Sequence, residues 1–278
     1  AGQPPPRAPS TASTPPAQVV PEEGRRNDDR ARETVNACND APSQTPRRVG
    51  DPLIDRLISI RDEIPGPRLD VGIHIDSPTP AQRAAVKRFL PETWSAPGGG
   101  GRNAELLHAA WSGACRHALD ALVKVRPCAF RDSDRWVTGF VFDAQMRACH
   151  AAVGAVRHGL LLNPVDDGGR MIFRLKSRED LRRLSALACH EVAHCVHSWH
   201  DESFANLLTT LQYETSEKGF WAAIRDEMEA TRDWASARDA AWRRANAQLV
   251  DMGLGEADAI ETLETRIRAV CAEEGPSP

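Results

Sequence analysis

The sequence predicts an α+β fold, in which a small β-sheet packs against a larger set of helices. Apolar residues alternate with other residues over 69–75, and two further apolar runs, at 158–163 and 171–176, flank a turn-forming segment. Apolar residues recur with helical spacing over 103–124 and in most of the chain after residue 201. A few strands combined with longer helices are typical of the α+β class.

Composition divides the chain into four segments. Residues 1–50 are rich first in Pro, Ser, Thr and Ala and then in mixed charge. Such a segment buries too little apolar surface to offset the entropy lost on ordering, so we expect a disordered tail. Residues 51–155 are expected to form a mostly helical N-terminal part, 156–213 the core that carries the functional site, and 214–278 a set of C-terminal helices.

Periodicity predicts the elements of the first half of the chain. Helices are predicted from apolar residues at i, i+3 and i+4, and the strand is predicted from alternation. Thr79 followed by Pro80 indicates a helix start, because proline fits the first helical position. The predicted elements are, in order, a helix at 53–60, a strand at 69–75, and helices at 80–90, 103–124 and 143–157.

The second half is predicted to begin with a β-hairpin. Residues 164–169, PVDDGG, are typical of a turn and lie between two apolar runs. Ser177 is followed three residues later by an acid, which indicates the N-terminus of a helix. The predicted elements are strands at 158–163 and 171–176, and helices at 177–196, 201–212, 218–250 and 256–272.

Overall composition narrows the class of protein. The 278 residues are enough for one or two domains, and a net charge of −4 argues against a surface that is basic throughout. No apolar run approaches the ~18–20 residues that cross a bilayer, so no membrane partner is expected. Seven cysteines at irregular spacing indicate reduced thiols, and residues 1–20 lack a signal-peptide pattern. We therefore expect an intracellular protein of the nucleus or cytoplasm.

The segment HEVAHCVHSWHD, residues 190–201, carries the clearest chemistry. His190 and His194 lie about 40° apart on one helix face, so both imidazoles can hold one Zn²⁺. Glu191 can reach a water molecule at the ion without binding the ion itself, which suits a general base. His200 would complete a set of three protein ligands with one open position, as in catalytic zinc sites.

Residues 190–208, HEVAHCVHSWHDESFANLL, resemble the zinc-binding segment of the WLM family of zinc peptidases. The segment MIFRLK, residues 171–176, resembles the arginine-rich strand that precedes the zinc helix in that family. These peptidases are distant relatives of the SprT/Spartan proteases, which cut proteins crosslinked to DNA. The family pattern reads H-E-[LIV]-[AT]-H-x-x-H-G-P-H-D-x-x-F-x-x-L-L, and this chain has Ser198 and Trp199 in place of Gly-Pro. Glycine takes a positive φ more readily than serine, so we expect the bend before the third ligand to use less suitable residues.

The resemblance implies a fold and an activity. The fold would be a zincin-like metallopeptidase core, with a small sheet or hairpin packed on the active-site helix. One Zn²⁺ would be held by His190, His194 and His200, and the chain would hydrolyse peptide bonds with Glu191 as general base. Zinc peptidases commonly bind a protein or peptide substrate along an edge strand beside that helix.

The same resemblance raises DNA as a partner. It suggests DNA-associated or crosslinked proteins as substrates, and the basic residues within 170–183 could contact phosphate. A solvent-exposed charged face is the favoured interpretation of those residues. The alternative function is a catalytically idle zinc-binding protein whose helices serve a partner, and the intact Glu191 favours the enzyme.

Several assignments near the motif stay open. His197 would share the ligand face if the helix continued past His194, and Glu214 lies at a spacing from which another zinc-peptidase class takes its third ligand; the family pattern favours His200. Asp201 either orients a ligand imidazole or caps the next helix.

The remaining residues around the motif are assigned packing roles. Cys189 and Cys195 are expected to pack as small apolar side chains rather than to bind metal. Phe204 is expected to seat the following helix under the metal. Tyr213 is a candidate donor to the oxyanion by its position, and a place in the core is the favoured interpretation.

Overall fold

The computed structural model describes residues 52–94, 101–127, 136–153, 156–257 and 260–273; the predicted tail at 1–50 lies outside them. Within the described residues the fold mixes α and β structure and is mostly helical, and no helix there is long and apolar enough to cross a membrane. The helices are α1 (Pro52–Asp62), α2 (Pro80–Ala85), α3 (Pro91–Trp94), α4 (Arg102–Val125), α5 (Arg178–His194), α6 (Glu202–Glu214), α7 (Glu217–Asp251) and α8 (Ile260–Glu273). The strands are β1 (Val71–Ile75), β2 (Trp136–Phe142), β3 (Ala148–Val153) and β4 (Val156–Leu162).

Two helices begin at polar N-cap residues that the sequence predicts. Thr79 accepts a hydrogen bond from the Gln82 N–H at 3.1 Å, while the Gln82 side chain accepts the Thr79 N–H at 2.9 Å. This capping box and Pro80 at the first position start α2. Ser177 caps α5 in the same way by accepting from the Asp180 N–H. Apart from shifts at their ends, the structure confirms the helices predicted at 53–60, 103–124, 177–196, 201–212, 218–250 and 256–272. The helix predicted at 80–90 is confirmed in part: α2 ends at Ala85, and a 3₁₀ helix, Val86–Phe89, follows it.

The sheet has the strand order β1-β2-β4-β3. Strands β1, β2 and β4 are parallel, and β3 runs antiparallel to β4 at one edge. Val71 pairs with Thr138, and Thr138 pairs with Leu160, so these side chains share one sheet face. Helix α4 packs on this face, where the Trp111 indole N–H donates to the Leu160 carbonyl at 2.7 Å.

The helix predicted at 143–157 is wrong, because this segment contains β3 and the start of β4. Ala148 pairs with Leu162 and Ala151 with Gly159 in an antiparallel ladder. The alanines favour a helix in isolation, but helix propensity is weak, and pairing with a buried strand outweighs it. Strand β2 is absent from the predicted elements, although its nearly continuous burial is typical of a central parallel strand.

The predicted hairpin is wrong in its second strand. The strand predicted at 158–163 is confirmed as β4, but its antiparallel partner is the preceding β3. Residues 171–176 form no strand; Met171 makes an isolated bridge with Val165. The Arg174 N–H donates to the Asp180 carboxylate at 2.6 Å, so the chain turns into α5 instead of continuing along the sheet.

Helix α4 lies in the main apolar core, between the sheet and helices α5 and α7. Its Gly113 allows close approach of α7, since a Cβ at this position would lie 2.6 Å from the Ala223 carbonyl oxygen. Arg238 of α7 is fully buried and donates to both carboxylate oxygens of Glu105, at 2.8 and 2.9 Å. Pairing offsets the cost of burying both charges, so α4 and α7 form a fixed support for α5.

A second, smaller apolar cluster forms where α1 and α8 pack on the C-terminal half of α7. Leu57, Trp242 and Leu263 are buried there, one from each helix. The N-terminal half of α7 contributes Phe220 and Ile224 to the main core. Helix α7 therefore joins both clusters, and the site described next belongs to the main core.

Candidate metal centre

Helix α5 carries two histidines of the motif beside the main core. Its residues Leu184, Ala188 and Val192 are buried, and Ser177 fixes its start. His190 and His194 are half-buried, with ring centroids 5.0 Å apart. The helical i, i+4 spacing thus brings both imidazoles to the same surface of the helix, as the motif predicts.

After α5 the chain bends so that His200 returns to these rings. The His197 N–H donates to the Ala193 carbonyl at 3.1 Å, which closes the helix. No described residue other than glycine has a positive φ, so Ser198 and Trp199 make the bend with ordinary backbone angles. The glycine of the family pattern is therefore not required for this bend.

The three imidazoles converge through their Nε2 atoms. His200 Nε2 lies 3.2 Å from His194 Nε2 and 3.1 Å from His190 Nε2. Tetrahedral ligands at the ~2.0–2.1 Å of a Zn–N bond are about 3.3–3.4 Å apart, so this spacing fits a tetrahedral ion. Among the described residues these histidines form a group that could hold a metal ion. Imidazole also suits copper, iron and nickel, so the donor set does not identify the metal.

The protonation states favour metal binding. His194 Nδ1 lies 2.9 Å from the His197 carbonyl oxygen, to which a ring N–H donates. This hydrogen bond places the ring proton on Nδ1 and leaves the Nε2 lone pair free for an ion. Burial lowers the pKa of His190 and of His194, and the neighbouring imidazoles lower both further, while the hydrogen bond to the His197 carbonyl partly opposes the shift of His194. Both rings are therefore biased towards the neutral form that binds metal.

Phe204 of α6 supports all three histidines. Its ring centroid lies 5.0 Å from His190, 4.6 Å from His194 and 4.8 Å from His200, and it is only 4% exposed. Asp201 caps α6, where its carboxylate accepts the Phe204 N–H at 2.9 Å. The packing role expected of Phe204 is confirmed, and of the two roles considered for Asp201 the structure contains the cap.

Glu191 is 3% exposed and follows His190 in α5. Burial raises the pKa of its carboxyl group to about 8, and a hydrogen bond from the His150 backbone N–H opposes this rise. His150 belongs to β3, the edge strand that packs beside α5. A cation bound nearby would lower the pKa again, because positive charge favours the carboxylate.

The alternative ligands lie outside the three-histidine group. The buried His197 Nε2 has no hydrogen-bond partner among the described residues, and the backbone of His197 binds His194. Glu214 ends α6 and forms an ion pair with Lys124 of α4. Tyr213 is 87% exposed, so the expectation that it lies in the core is wrong.

His150 is a site residue that the sequence interpretation missed. The segment 143–157 was interpreted as a helix, which hides the edge strand and its backbone donor to Glu191. Alternation within β3 is the signal that could have revealed it: Ala148 packs on the main core, whereas Cys149 and Ala151 pack on the other sheet face.

Comparisons with models of known protein families, with curated proteins and with solved structures found no match for this chain. The resemblance to the WLM family therefore rests on residues 171–176 and 190–208. Any functional interpretation has to be argued from the geometry of the three histidines and Glu191.

Proposed function

We propose that this chain is a zinc-dependent endopeptidase of the WLM type with a zincin-like core. The observation that carries the proposal is the convergence of three Nε2 atoms, 3.1 and 3.2 Å apart, next to the buried Glu191. Zinc hydrolases commonly combine three protein ligands, one open position and a nearby carboxylate. The exposure of His200 supports access for a substrate.

The chain's own residues can account for the proton transfers. A zinc ion held by His190, His194 and His200 would supply Lewis acidity at its open position. Glu191 would accept a proton from the attacking water and return it to the peptide nitrogen as the C–N bond breaks. The His150 N–H would orient this carboxylate, and the hydrogen bond of His194 would keep its metal-facing nitrogen unprotonated.

The position of strand β3 favours a protein or peptide as the substrate. It is one of the two edge strands of the described sheet, and it packs beside α5. An extended peptide can add to such an edge through main-chain hydrogen bonds, which would bring a peptide bond towards Glu191. Residues 171–176, which were predicted to form the strand before this helix, form no strand.

DNA-associated or crosslinked proteins are the substrate class that the family resemblance suggests. The basic residues at the start of α5 give this idea little support, because acids pair with them. Arg178 and Arg182 both pair with Glu217, at 2.9 and 3.2 Å, and Arg183 pairs with Glu179 at 3.3 Å. A solvent-exposed ion-paired face is thus better supported than a phosphate-binding surface.

An intracellular location, in nucleus or cytoplasm, is included in the proposal. Within the described part of the chain Cys115, Cys189 and Cys195 are free thiols. Free thiols are typical of proteins from reducing compartments.

The test compares the wild-type chain with Glu191→Gln. We expect the variant to keep the wild-type metal content, because glutamine preserves shape, and to lose at least ~10²-fold in hydrolysis, because it cannot accept the proton. Metal content is measured by mass spectrometry of the purified chain, and hydrolysis with a labelled unfolded protein. Glu214→Gln is the matched control and should retain activity, since Glu214 pairs with Lys124 outside the histidine group.

Two outcomes would count against the proposal. Equal hydrolysis by wild type and Glu191→Gln would remove Glu191 from the mechanism. Metal binding without hydrolysis of any protein or peptide tested would favour the catalytically idle zinc-binding protein. Adding single-stranded DNA to the same assay tests the DNA extension, and unchanged turnover across a range of salt would exclude it.

A further inference from the structure

A second group of potential ligands shares no residue with the three histidines. It consists of His150 of β3, His158 of β4 and Cys195, the residue that follows α5, and we call it the second group. Its ligand atoms all lie within 4.8 Å of one another. His150 Nε2 and His158 Nδ1 are 2.8 Å apart. Neither His150 nor Cys195 was expected to bind metal from the sequence.

The register of the sheet brings the two histidines together. His150 pairs with Leu160, and Ala151 pairs with Gly159, so His158 lies two residues along β4 from the partner of His150. Residues two apart on a strand point to the same face, and diagonal neighbours on antiparallel strands are within reach of long side chains. Leu160 belongs to the main core, so both rings lie on the sheet face that packs against the helices.

The geometry of α5 brings Cys195 to the same place. Successive helical residues are rotated by about 100°, so Glu191 and Cys195 share a face adjacent to the face of His190 and His194. Cys195 keeps helical backbone angles, φ −61° and ψ −21°, so the face extends to it. Its thiol donates to the Glu191 carbonyl oxygen at 3.8 Å. The C-terminal end of α5 therefore contributes residues to both groups of ligands.

The donor set suits a borderline divalent ion. Two imidazoles and one thiolate are ligands that Zn²⁺ and related ions bind well. In the absence of an ion the Cys195 thiol carries its proton and donates it in a hydrogen bond to the Glu191 carbonyl oxygen. An ion would displace that proton, according to Cys–SH + M²⁺ → [Cys–S–M]⁺ + H⁺. The two ring nitrogens would separate from 2.8 Å to the ~3.3 Å of tetrahedral ligands, a small adjustment.

We propose that His150, His158 and Cys195 bind a second divalent cation of the Zn²⁺ type, which fastens β3 and β4 to the end of α5. Such an ion would join two strands to a helix through three side chains from separate parts of the chain. Because the His150 N–H donates to Glu191, the ion would also hold β3 against that carboxyl group. This last consequence rests on the proposed function, whereas binding of the second ion does not.

Cobalt spectroscopy tests the proposal without an activity assay. The full-length chain is stripped of metal with a chelator and titrated with Co²⁺, because a cobalt–thiolate bond gives a near-ultraviolet charge-transfer band that imidazole does not give. We expect this band in the wild type and its loss in Cys195→Ser. Cys149→Ser is the matched control, since Cys149 packs on the opposite sheet face, and it should keep the band.

His200→Ala separates the two groups and should also keep the thiolate band. A wild-type chain that binds Co²⁺ without a thiolate band would overturn the proposal, and so would a Cys195→Ser variant that keeps it. If circular dichroism shows that Cys195→Ser does not fold, His158→Gln replaces it. We then expect at least a tenfold weaker Co²⁺ affinity measured through the band, and an unchanged affinity would overturn the second site.

Discussion

The three motif histidines come from one short segment, residues 190–200, whereas His150, His158 and Cys195 come from two strands and a helix end. The helical repeat and one bend are enough to assemble the first group. The second group exists only because β3 and β4 pair in one register and α5 packs beside them. The comparison teaches that local sequence can bring one group of potential metal ligands together while saying nothing about the other group.

The surroundings of the two groups differ as well. The first group is supported from one side by Phe204, and its third histidine is exposed. In the second group His158 is buried and the other two residues are half-buried. An open position is what a catalytic ion needs, whereas a structural ion is normally enclosed by its ligands. The first group is therefore the better candidate for chemistry, and the second for holding the fold together.

Removing a motif ligand should have the largest effect on metal binding. Zinc sites with four protein ligands bind Zn²⁺ with a free energy of roughly 10–16 kcal/mol, of which one ligand accounts for about a quarter. Loss of one ligand in His200→Ala should therefore weaken Zn²⁺ binding several hundredfold. Competition with a calibrated chelator measures the affinity. His197→Ala is the control and should bind within a few-fold of wild type, because its contact with His194 is through the backbone. Equal losses in both variants would mean that the ligand set is misassigned.

Removing the ring under the motif histidines should have an intermediate effect. Phe204→Ala should destabilise the fold by about 3–5 kcal/mol, as other buried Phe→Ala changes do. It should also weaken Zn²⁺ binding by about 10–100-fold, in the range of residues that orient metal ligands. Phe220→Ala, an equally buried change in α7, should cost similar stability in urea unfolding but leave Zn²⁺ affinity unchanged. If Phe220→Ala weakened Zn²⁺ binding as much, the effect would be general loosening.

A histidine that belongs to neither group should affect stability alone. His108 of α4 is fully buried between Trp94 and Phe140, and burial lowers its pKa from 6.5 to about 4. Below pH 6.5 the unfolded chain therefore binds a proton at His108 that the folded chain does not bind. The free energy of unfolding falls as the pH falls from 6.5 towards 4.

The size of this pH effect follows from the two pKa values. When the pH is lowered from 7 to 5, His108 should reduce the free energy of unfolding by about 2 kcal/mol. Urea unfolding at both pH values, on wild type and His108→Gln, measures it as the difference between the two pH dependences. An identical loss of stability in the variant would show that other groups cause it.

The sequence predicts most helices because their starting signals are local. Thr79 with Gln82 and Ser177 with Asp180 act within one turn, and the apolar spacing of the long helices is regular. Strand β2 pairs with β1 and β4, which are distant in sequence, so its residues carry no comparable local signal. Strand β3 pairs with the next strand, β4, and only its short alternation indicates a strand. The alanines of β3 even favour the wrong element until pairing with β4 overrides them.

The candidate site, like the fold, could be predicted where it depends on local sequence and not where it depends on packing between separate elements. His190, His194 and His200 meet as the motif predicts, and the packing role of Phe204 follows from its place after the motif. The hydrogen bond from the His150 N–H to Glu191 could not be predicted, since it requires the edge strand to pack beside α5. The exposure of Tyr213 was also missed, because an aromatic residue near the end of a helix is as compatible with the surface as with the core.

The hydrogen bond between His194 and the His197 carbonyl has a consequence for metal exchange. The hydrogen bond orients the His194 ring, and all three imidazoles pack against Phe204. The side chains therefore lose their conformational entropy during folding and not when the ion binds. Loading and unloading then require no rearrangement of the corner between α5 and α6. The rate of loading would be governed by how quickly the ion sheds its hydration water, whereas unloading also requires the bonds from the ion to the three imidazoles to break.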